Sequence, residues 1–130
     1  MYPSGGSWGG CEDPRAVRIG DKIYMTFNAF DGWDFIRIGV VSIKTDDFFK
    51  KKWNWNKPLF ISPEGQVNKN WVLFPEKING KFAVLHSVSP EVQIDYADRL
   101  EDLDNGKQII KIRFGQKKPR EEWDTWIRGA

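Results

Sequence analysis

The feature that most constrains the fold is a hairpin motif that occurs twice in the chain, 59 positions apart. Residues 19–25 read Ile-Gly-Asp-Lys-Ile-Tyr-Met, and residues 78–84 read Ile-Asn-Gly-Lys-Phe-Ala-Val. In the first copy a leading glycine suits a two-residue type II′ turn, and in the second copy Asn-Gly readily takes the two positive φ angles of a type I′ turn. A repeat of this length predicts one small antiparallel sheet per repeat, as in the blades of a β-propeller.

The rest of the chain supports the same fold class, because Val, Ile, Phe and Tyr alternate with short polar turns and few stretches show helical periodicity. We predict strands at residues 16–19, 22–27, 37–43, 53–60, 71–78, 81–87, 92–96 and 108–114, with a polar turn at 98–105. The expected fold is therefore all-β, with residues 1–130 forming a single domain of about two to two and a half propeller blades. Since propellers close with at least about four blades, we expect this partial β-propeller to expose sheet edges and to pair as a homodimer.

Composition narrows the range of partners. The formal net charge is +2, and basic residues form runs only at 50–52 and 117–118, a balance that predicts neither a nucleic-acid nor a membrane partner. The single cysteine, Cys11, cannot form an internal disulfide, and the chain shows neither a signal peptide nor an apolar run long enough to span a bilayer. We therefore expect a soluble, cytoplasmic protein. Its seven tryptophans suit either core packing or stacking on sugar rings.

Residues 9–15, Gly-Gly-Cys-Glu-Asp-Pro-Arg, are the first candidate site. They place the carboxylates of Glu12 and Asp13 and the guanidinium of Arg15 in a loop just before a predicted strand. Partial burial raises the pKa of a carboxyl group toward the range that a general acid needs. The residues alone leave open whether this loop is a pocket or a solvated turn.

The second candidate site is the segment Phe-Pro-Glu-Lys at residues 74–77, together with the single histidine of the chain, His86. If Ile78 and Lys81 pair across the turn, Lys77 lies opposite Phe82 and His86 lies four residues further along, near Leu73. Lys77 and His86 would then lie close enough to contact one large anion, although a structural histidine fits the pattern as well. The sequence shows no metal-ligand spacing, and we expect no metal and no organic cofactor.

These two segments resemble glycoside hydrolase family 130. The likeness is carried by Gly-Cys-Glu-Asp-Pro-Arg at residues 10–15, by the first hairpin, and by residues 73–81 followed by Leu-His at 85–86. It extends over nearly the whole chain, including residues 126–130, which are similar to the start of a further motif of the family. The family comprises mannoside phosphorylases and related mannosidases on a five-bladed β-propeller, so the resemblance implies that this chain is an internal portion of such a domain and is incomplete as a catalyst alone.

The resemblance also implies a mechanism and a set of site residues. Asp13 would be the general acid of an inverting phosphorolysis of β-mannosides, protonating the glycosidic oxygen through a hydroxyl of the mannosyl unit. Inorganic phosphate, the co-substrate, would attack C1 from the opposite face while cationic side chains bind it. The residues implied to contact the oligosaccharide substrate or phosphate are Arg15, Arg37, Glu76, Lys77, His86 and Arg128.

Two alternatives stay open. His86 is followed by Ser87 where similar phosphorylases usually have arginine, and Glu76 could supply the second carboxylate that an inverting hydrolase needs. The first alternative is therefore a hydrolytic β-mannosidase. The second is a non-catalytic module that binds carbohydrate or assembles with itself.

Overall fold

The computed structural model describes residues 9–32, 35–88 and 91–107. The first sheet contains four antiparallel strands in sequential order: β1 (Gly10–Ile19), β2 (Lys22–Phe30), β3 (Ile36–Lys44) and β4 (Leu59–Phe60). The second sheet contains three: β5 (Val72–Leu73), β6 (Phe82–Val88) and β7 (Glu91–Ala97). A short helix α1 (Thr45–Phe49) follows β3, and a 3₁₀ helix (Leu100–Gly106) follows β7. The all-β prediction is confirmed, and the two sheets are consistent with blades of a partial propeller.

The first predicted hairpin is present and joins β1 to β2. Ile19 pairs with Lys22 across the turn, and Gly20 has a φ of +63°, as the first central residue of a type II′ turn requires. The backbone amide of Thr45, at the start of α1, donates to the carbonyl of Asp21 at 2.8 Å. The turn is thus held against the end of β3.

The second predicted hairpin is also present. Ile78 and Lys81 exchange two backbone hydrogen bonds of 2.9 and 3.0 Å, and the turn residues Asn79 and Gly80 have φ angles of +51° and +78°. These are the two positive angles of a type I′ turn, which asparagine and glycine adopt at low cost.

The register beyond this turn differs from the prediction. Leu73 pairs with Val84. Leu73 lies five residues before Ile78, whereas Val84 lies only three residues after Lys81, so the first strand has two extra residues between the turn and this pair. The two extra residues fall in the segment containing Pro75, which lacks the N–H that a regular ladder needs. His86 was expected near Leu73, and with this shifted register its ring packs against Trp71, two residues earlier.

Two predicted strands are shorter than expected. Only Leu59–Phe60 of residues 53–60 and Val72–Leu73 of residues 71–78 are in strands. Residues 53–57 turn locally, since the amides of Asn54 and Trp55 bond to carbonyls two residues earlier. Helix α1 was missed because five residues are too few to show helical periodicity. The strand predicted at 108–114 lies outside the described residues.

The core lies between the two sheets. Ile38 and Val40 project from β3 toward the second sheet, where they meet side chains of β5, β6 and the 3₁₀ helix. The buried cluster consists of Ile38, Val40, Ile61, Trp71, Leu73, Phe82, Val84, Ala97, Leu100 and Leu103. Neither helix of the described ranges has the length and apolar character needed to cross a membrane.

The opposite face of the first sheet has a close contact between Phe27 and Gly39, which are paired residues on β2 and β3. A Cβ atom added at Gly39 would lie 2.3 Å from Cζ of the Phe27 ring. The aromatic ring therefore covers the glycine directly, and any larger residue at position 39 has to displace it.

We expect Gly39→Ala to destabilise the fold by about 1–3 kcal/mol, because the added methyl group overpacks the Phe27 ring. Gly10→Ala is the matched control, since a Cβ at Gly10 meets no atom within 4 Å. Urea denaturation monitored by tryptophan fluorescence measures both variants. Equal unfolding free energies for the two would contradict the packing described for Gly39.

Candidate active site

Asp13 lies in a β-bulge on the first strand. The register of β1 against β2 shifts by one residue between Glu12 and Arg15, so Asp13 and Pro14 together occupy the place of one residue. Asp13 has a φ of +49°, in the left-handed region that aspartate tolerates better than most residues. A bulge redirects the side chain it carries, and bulges are frequent next to active sites. The side chain of Asp13 is exposed, so a solute can reach it.

A buried amide holds this carboxylate. The side chain of Asn28 on β2 is only 1% exposed, and its Nδ2 donates to Oδ2 of Asp13 at 3.0 Å. The Oδ1 atom of Asn28 accepts a hydrogen bond from the backbone amide of Asn70 at 3.0 Å. One carboxylate oxygen of Asp13 is thus held by the buried amide, while the side chain as a whole stays exposed.

Thr26 makes a second polar link between the sheets. Its side chain is 2% exposed, and Oγ1 donates to the carbonyl of Trp71 at 2.9 Å. Thr26 and Asn28 are alternate residues of β2 and so share the face that meets the second sheet. We call the set Thr26, Asn28, Asn70 and Trp71 the polar seam. It fixes the position of the second sheet relative to the strand pair that carries Asp13.

His86 lies behind the polar seam. Its ring packs against Trp71 with centroids 4.8 Å apart, and its Nε2 lies 2.7 Å from Oδ2 of Asp95. The side chains of His86 and Asp95 are 2% and 7% exposed, so this pair is buried. Direct contact between His86 and a dissolved anion would therefore require this region to open.

Arg37 is on the other face of the first sheet. It pairs with Ala29, whereas Asn28 pairs with Ile38, and neighbouring residues of a strand point to opposite faces. Its guanidinium lies 4.5 Å from the centre of the Phe60 ring and donates to the side chain of Asn105. Arg37 thus packs within the fold and does not face Asp13.

Lys77 and Glu76 lie toward the hairpin-turn end of the molecule. The ammonium of Lys77 is 4.4 Å from the centre of the Phe82 ring, in a cavity that Lys22 also lines. Lys22 adjoins the first turn, about five residues along β2 from the level of the bulge, which corresponds to roughly 17 Å. Glu76, which is exposed, immediately precedes Lys77.

The structure therefore brings together only part of the predicted site. Arg15, half-buried on β1, directly follows the bulge and so stays close to Asp13. His86 lies behind the polar seam, on the side away from Asp13. Arg37, Lys77 and Glu76 are elsewhere, and Arg128 lies outside the described residues. In the described ranges, no group of three or more His, Cys, Asp and Glu side chains is arranged to hold a metal ion.

Sequence reasoning missed Asn28, Asn70 and Asp95. The sequence contained one signal for Asn28. Thr26 and Asn28 are polar residues two positions apart in a β-prone segment, so both side chains lie on the same face of the strand. Lys69 was also missed. It is exposed and immediately precedes Asn70, whose φ of +64° marks the bend of the chain at this point.

Comparisons with known proteins show which family the chain is similar to. A family model described as β-1,4-mannooligosaccharide phosphorylase matches residues 4–114. The β-1,2-mannobiose phosphorylase of Thermoanaerobacter sp. (strain X514) is 35% identical over 88 residues, which are 68% of this chain and 27% of that protein. The 1,2-β-oligomannan phosphorylase of the same organism is 35% identical over 104 residues, 78% of this chain and 32% of that protein.

A third relative, the β-1,2-mannobiose phosphorylase of Listeria innocua serovar 6a, is 35% identical over 113 residues. That match covers 82% of this chain and 29% of the relative, so the chain spans about a third or less of each of these proteins. The family match covers most of the sequence and includes both Asp13 and His86. The chain therefore belongs to glycoside hydrolase family 130.

Proposed function

We propose that this chain is part of a β-mannoside phosphorylase in which Asp13 is the general acid. The observation that carries the proposal is the exposed Asp13 carboxylate, placed by a bulge and held through one oxygen by the buried Asn28 amide at 3.0 Å. Three relatives at 35% identity are named as phosphorylases of mannose-containing saccharides, which supports the same reaction class here.

The proposed reaction needs a single protein carboxyl group. The proton of the Asp13 carboxyl group passes, through a hydroxyl of the mannosyl unit, to the glycosidic oxygen as the bond from C1 to that oxygen breaks. An oxygen of inorganic phosphate forms the new bond to C1 from the opposite face. The products are mannose 1-phosphate and the shortened saccharide. Phosphate is itself a nucleophile, so the protein has only to bind it and stabilise its charge.

Cationic side chains near Asp13 are the candidates for that task. Arg15 adjoins the bulge and Lys69 adjoins the polar seam, so both belong to the end of the molecule that carries the acid. Arg37 and Lys77 are not part of this proposed phosphate site, because they lie on the other sheet face and at the turn end respectively. His86 supports the site from behind through its packing on Trp71.

The location of Glu76 favours phosphorolysis over hydrolysis. An inverting hydrolase needs a second carboxylate about 6.5–9.5 Å from the acid to activate water. Glu76 was the candidate for that role, but it precedes Lys77 toward the turn end of the second sheet. The hydrolytic alternative therefore has no support from this residue.

Product analysis separates the candidate functions. We expect the complete phosphorylase of which this chain is a part, incubated with β-1,2- or β-1,4-mannooligosaccharides, to yield mannose 1-phosphate only when inorganic phosphate is present. Anion-exchange chromatography of the products measures this. Release of free mannose at equal rates with and without phosphate would indicate a hydrolase, and saccharide binding without any product would indicate a binding module.

We expect Asp13→Asn to lower turnover of an unactivated mannoside by about 10²–10⁴-fold, because an amide cannot donate the proton that the leaving group needs. Initial rates of an active preparation on mannobiose measure the effect, and circular dichroism checks the fold. Asp46→Asn is the matched control, since Asp46 on α1 is exposed and its ion pair within the described residues is with Lys50, just after the helix. Undiminished turnover by Asp13→Asn would remove Asp13 from the role of acid.

We further propose that the isolated chain forms a homodimer. Among the described residues, β1 and β7 each pair on one side only, and Phe49 and Trp53 are 72% and 60% exposed. Open sheet edges and exposed aromatic rings favour association. Light scattering at micromolar concentration should give about twice the chain mass of 15.1 kDa. A stable monomer at that concentration would contradict the proposal.

A further inference from the structure

A concave region lies between the two sheets, at the end opposite Asp13. Its volume is about 610 Å³, within the range of about 300–1,000 Å³ that small-molecule sites occupy. Strands β2 and β3 and the segment before β4 form one wall, and Lys77, Phe82 and the start of the 3₁₀ helix form the other. We call this region the turn-end groove. Both walls belong to the described part of this chain.

The turn-end groove carries an excess of positive charge. Of the charged residues that line it, Asp98 is paired with Lys81 at 3.5 Å and Arg99 with Asp102 at 3.3 Å. Among the residues that the structure describes, the charged lining residues in no such ion pair are Lys22, Lys57, Lys77 and Glu101. Three ammonium groups outnumber the unpaired carboxylates, Glu101 in the lining and Asp21 close to Tyr24, so the groove has a net positive charge that suits an anion such as a phosphate monoester.

Aromatic rings and side chains that can hydrogen-bond to sugar hydroxyls also line the groove. Tyr24 and Phe82 pack edge to face with ring centroids 5.4 Å apart, and Lys77 is held over the Phe82 ring. Burial, together with the nearby carboxylates of Asp21 and Glu101, raises the pKa of Tyr24, so its hydroxyl stays protonated and can donate a hydrogen bond. The side chain of Asn56 and the carboxylate of Glu101 also line the groove and offer partners for sugar hydroxyls.

We propose that the turn-end groove binds a phosphorylated monosaccharide at a site separate from Asp13. The phosphate would be bound by ammonium groups from both sheets, Lys22 and Lys57 from the first and Lys77 from the second. The sugar ring would lie along Tyr24 and Phe82. This assignment does not depend on the proposed phosphorolysis, because none of these residues takes part in that reaction. It also gives Lys77 an anion-binding role at a different place from the one the sequence predicted.

Isothermal titration calorimetry with three probes tests the ligand class. We expect saturable binding of mannose 6-phosphate, weaker binding of inorganic phosphate, and no measurable binding of mannose at the same concentrations. Raising the salt concentration should weaken the binding, since exposed ammonium groups are screened. Absence of saturable binding of mannose 6-phosphate would overturn the proposal, and so would equal affinity for inorganic phosphate, because the groove would then recognise no sugar.

Substitutions locate the site. Lys57→Met/Lys77→Met keeps the aliphatic stems, including the one over Phe82, and removes one charge from each sheet. We expect it to weaken the binding of mannose 6-phosphate by at least about tenfold. Lys51→Met/Lys52→Met removes the same charge outside the groove and should have little effect. Equal losses in the two double variants would show a nonspecific charge effect and would overturn the assigned site.

Asp13→Asn distinguishes the turn-end groove from the proposed active site. This variant should bind mannose 6-phosphate as tightly as the unchanged chain, whatever becomes of turnover. A loss of binding in Asp13→Asn, with retention in Lys57→Met/Lys77→Met, would place the ligand at the Asp13 end and contradict the inference.

Discussion

The hydrogen bond from the buried amide of Asn28 to Asp13 is the interaction on which the proposed site depends. A bulge alone turns the Asp13 side chain away from the regular strand face, but it does not fix the carboxylate. Asn28 does so, because its amide is itself held by the backbone of Asn70. Burying an amide without partners costs free energy, so this side chain keeps the arrangement that satisfies both of its ends. The position of the acid thus depends on how the two sheets pack.

The same argument explains why the two sheets pack against each other in a single alignment. The core between them is apolar and could tolerate small shifts, whereas Thr26 and Asn28 each need a specific partner on the chain entering the second sheet. His86 and Asp95 extend the polar contacts further into that sheet, since the ring of His86 packs against Trp71 of the seam. A buried polar group that has only one suitable partner selects a single alignment of the surfaces that carry it.

The local parts of this architecture could be predicted from sequence. Turn residues and alternating β-prone segments were enough for the two hairpins and the all-β class, because both depend on neighbouring residues. The bounds of the two short strands could not be predicted. Trp53 and Trp55, for example, look β-prone although their backbone turns locally. The single-domain assignment and the blade repeat stay predictions. Asp13 was identified by motif, but the seam that holds it depends on contacts between residues more than forty positions apart.

The predicted group of cations stays a prediction, and the structure does not bring Arg37, Lys77 and His86 together. Placing Lys77 and His86 in one site assumed an unbroken ladder from the turn onward, and two extra residues around Pro75 shift that register. Arg37 was placed by resemblance without regard to strand parity, which puts it on the other face. A one-residue slip in register moves a side chain to the other face of a sheet, and a two-residue shift moves it along the same face by about 7 Å.

A double-mutant cycle on the unfolding free energy tests most directly whether Asn28 holds Asp13. Asn28→Ala removes the donor, and Asp13→Gly removes the acceptor while glycine keeps the positive φ. A hydrogen bond of 3.0 Å to an exposed carboxylate predicts a coupling energy of about 1 kcal/mol between the two substitutions. Additive effects within about 0.3 kcal/mol would contradict the claim that the buried amide positions the acid.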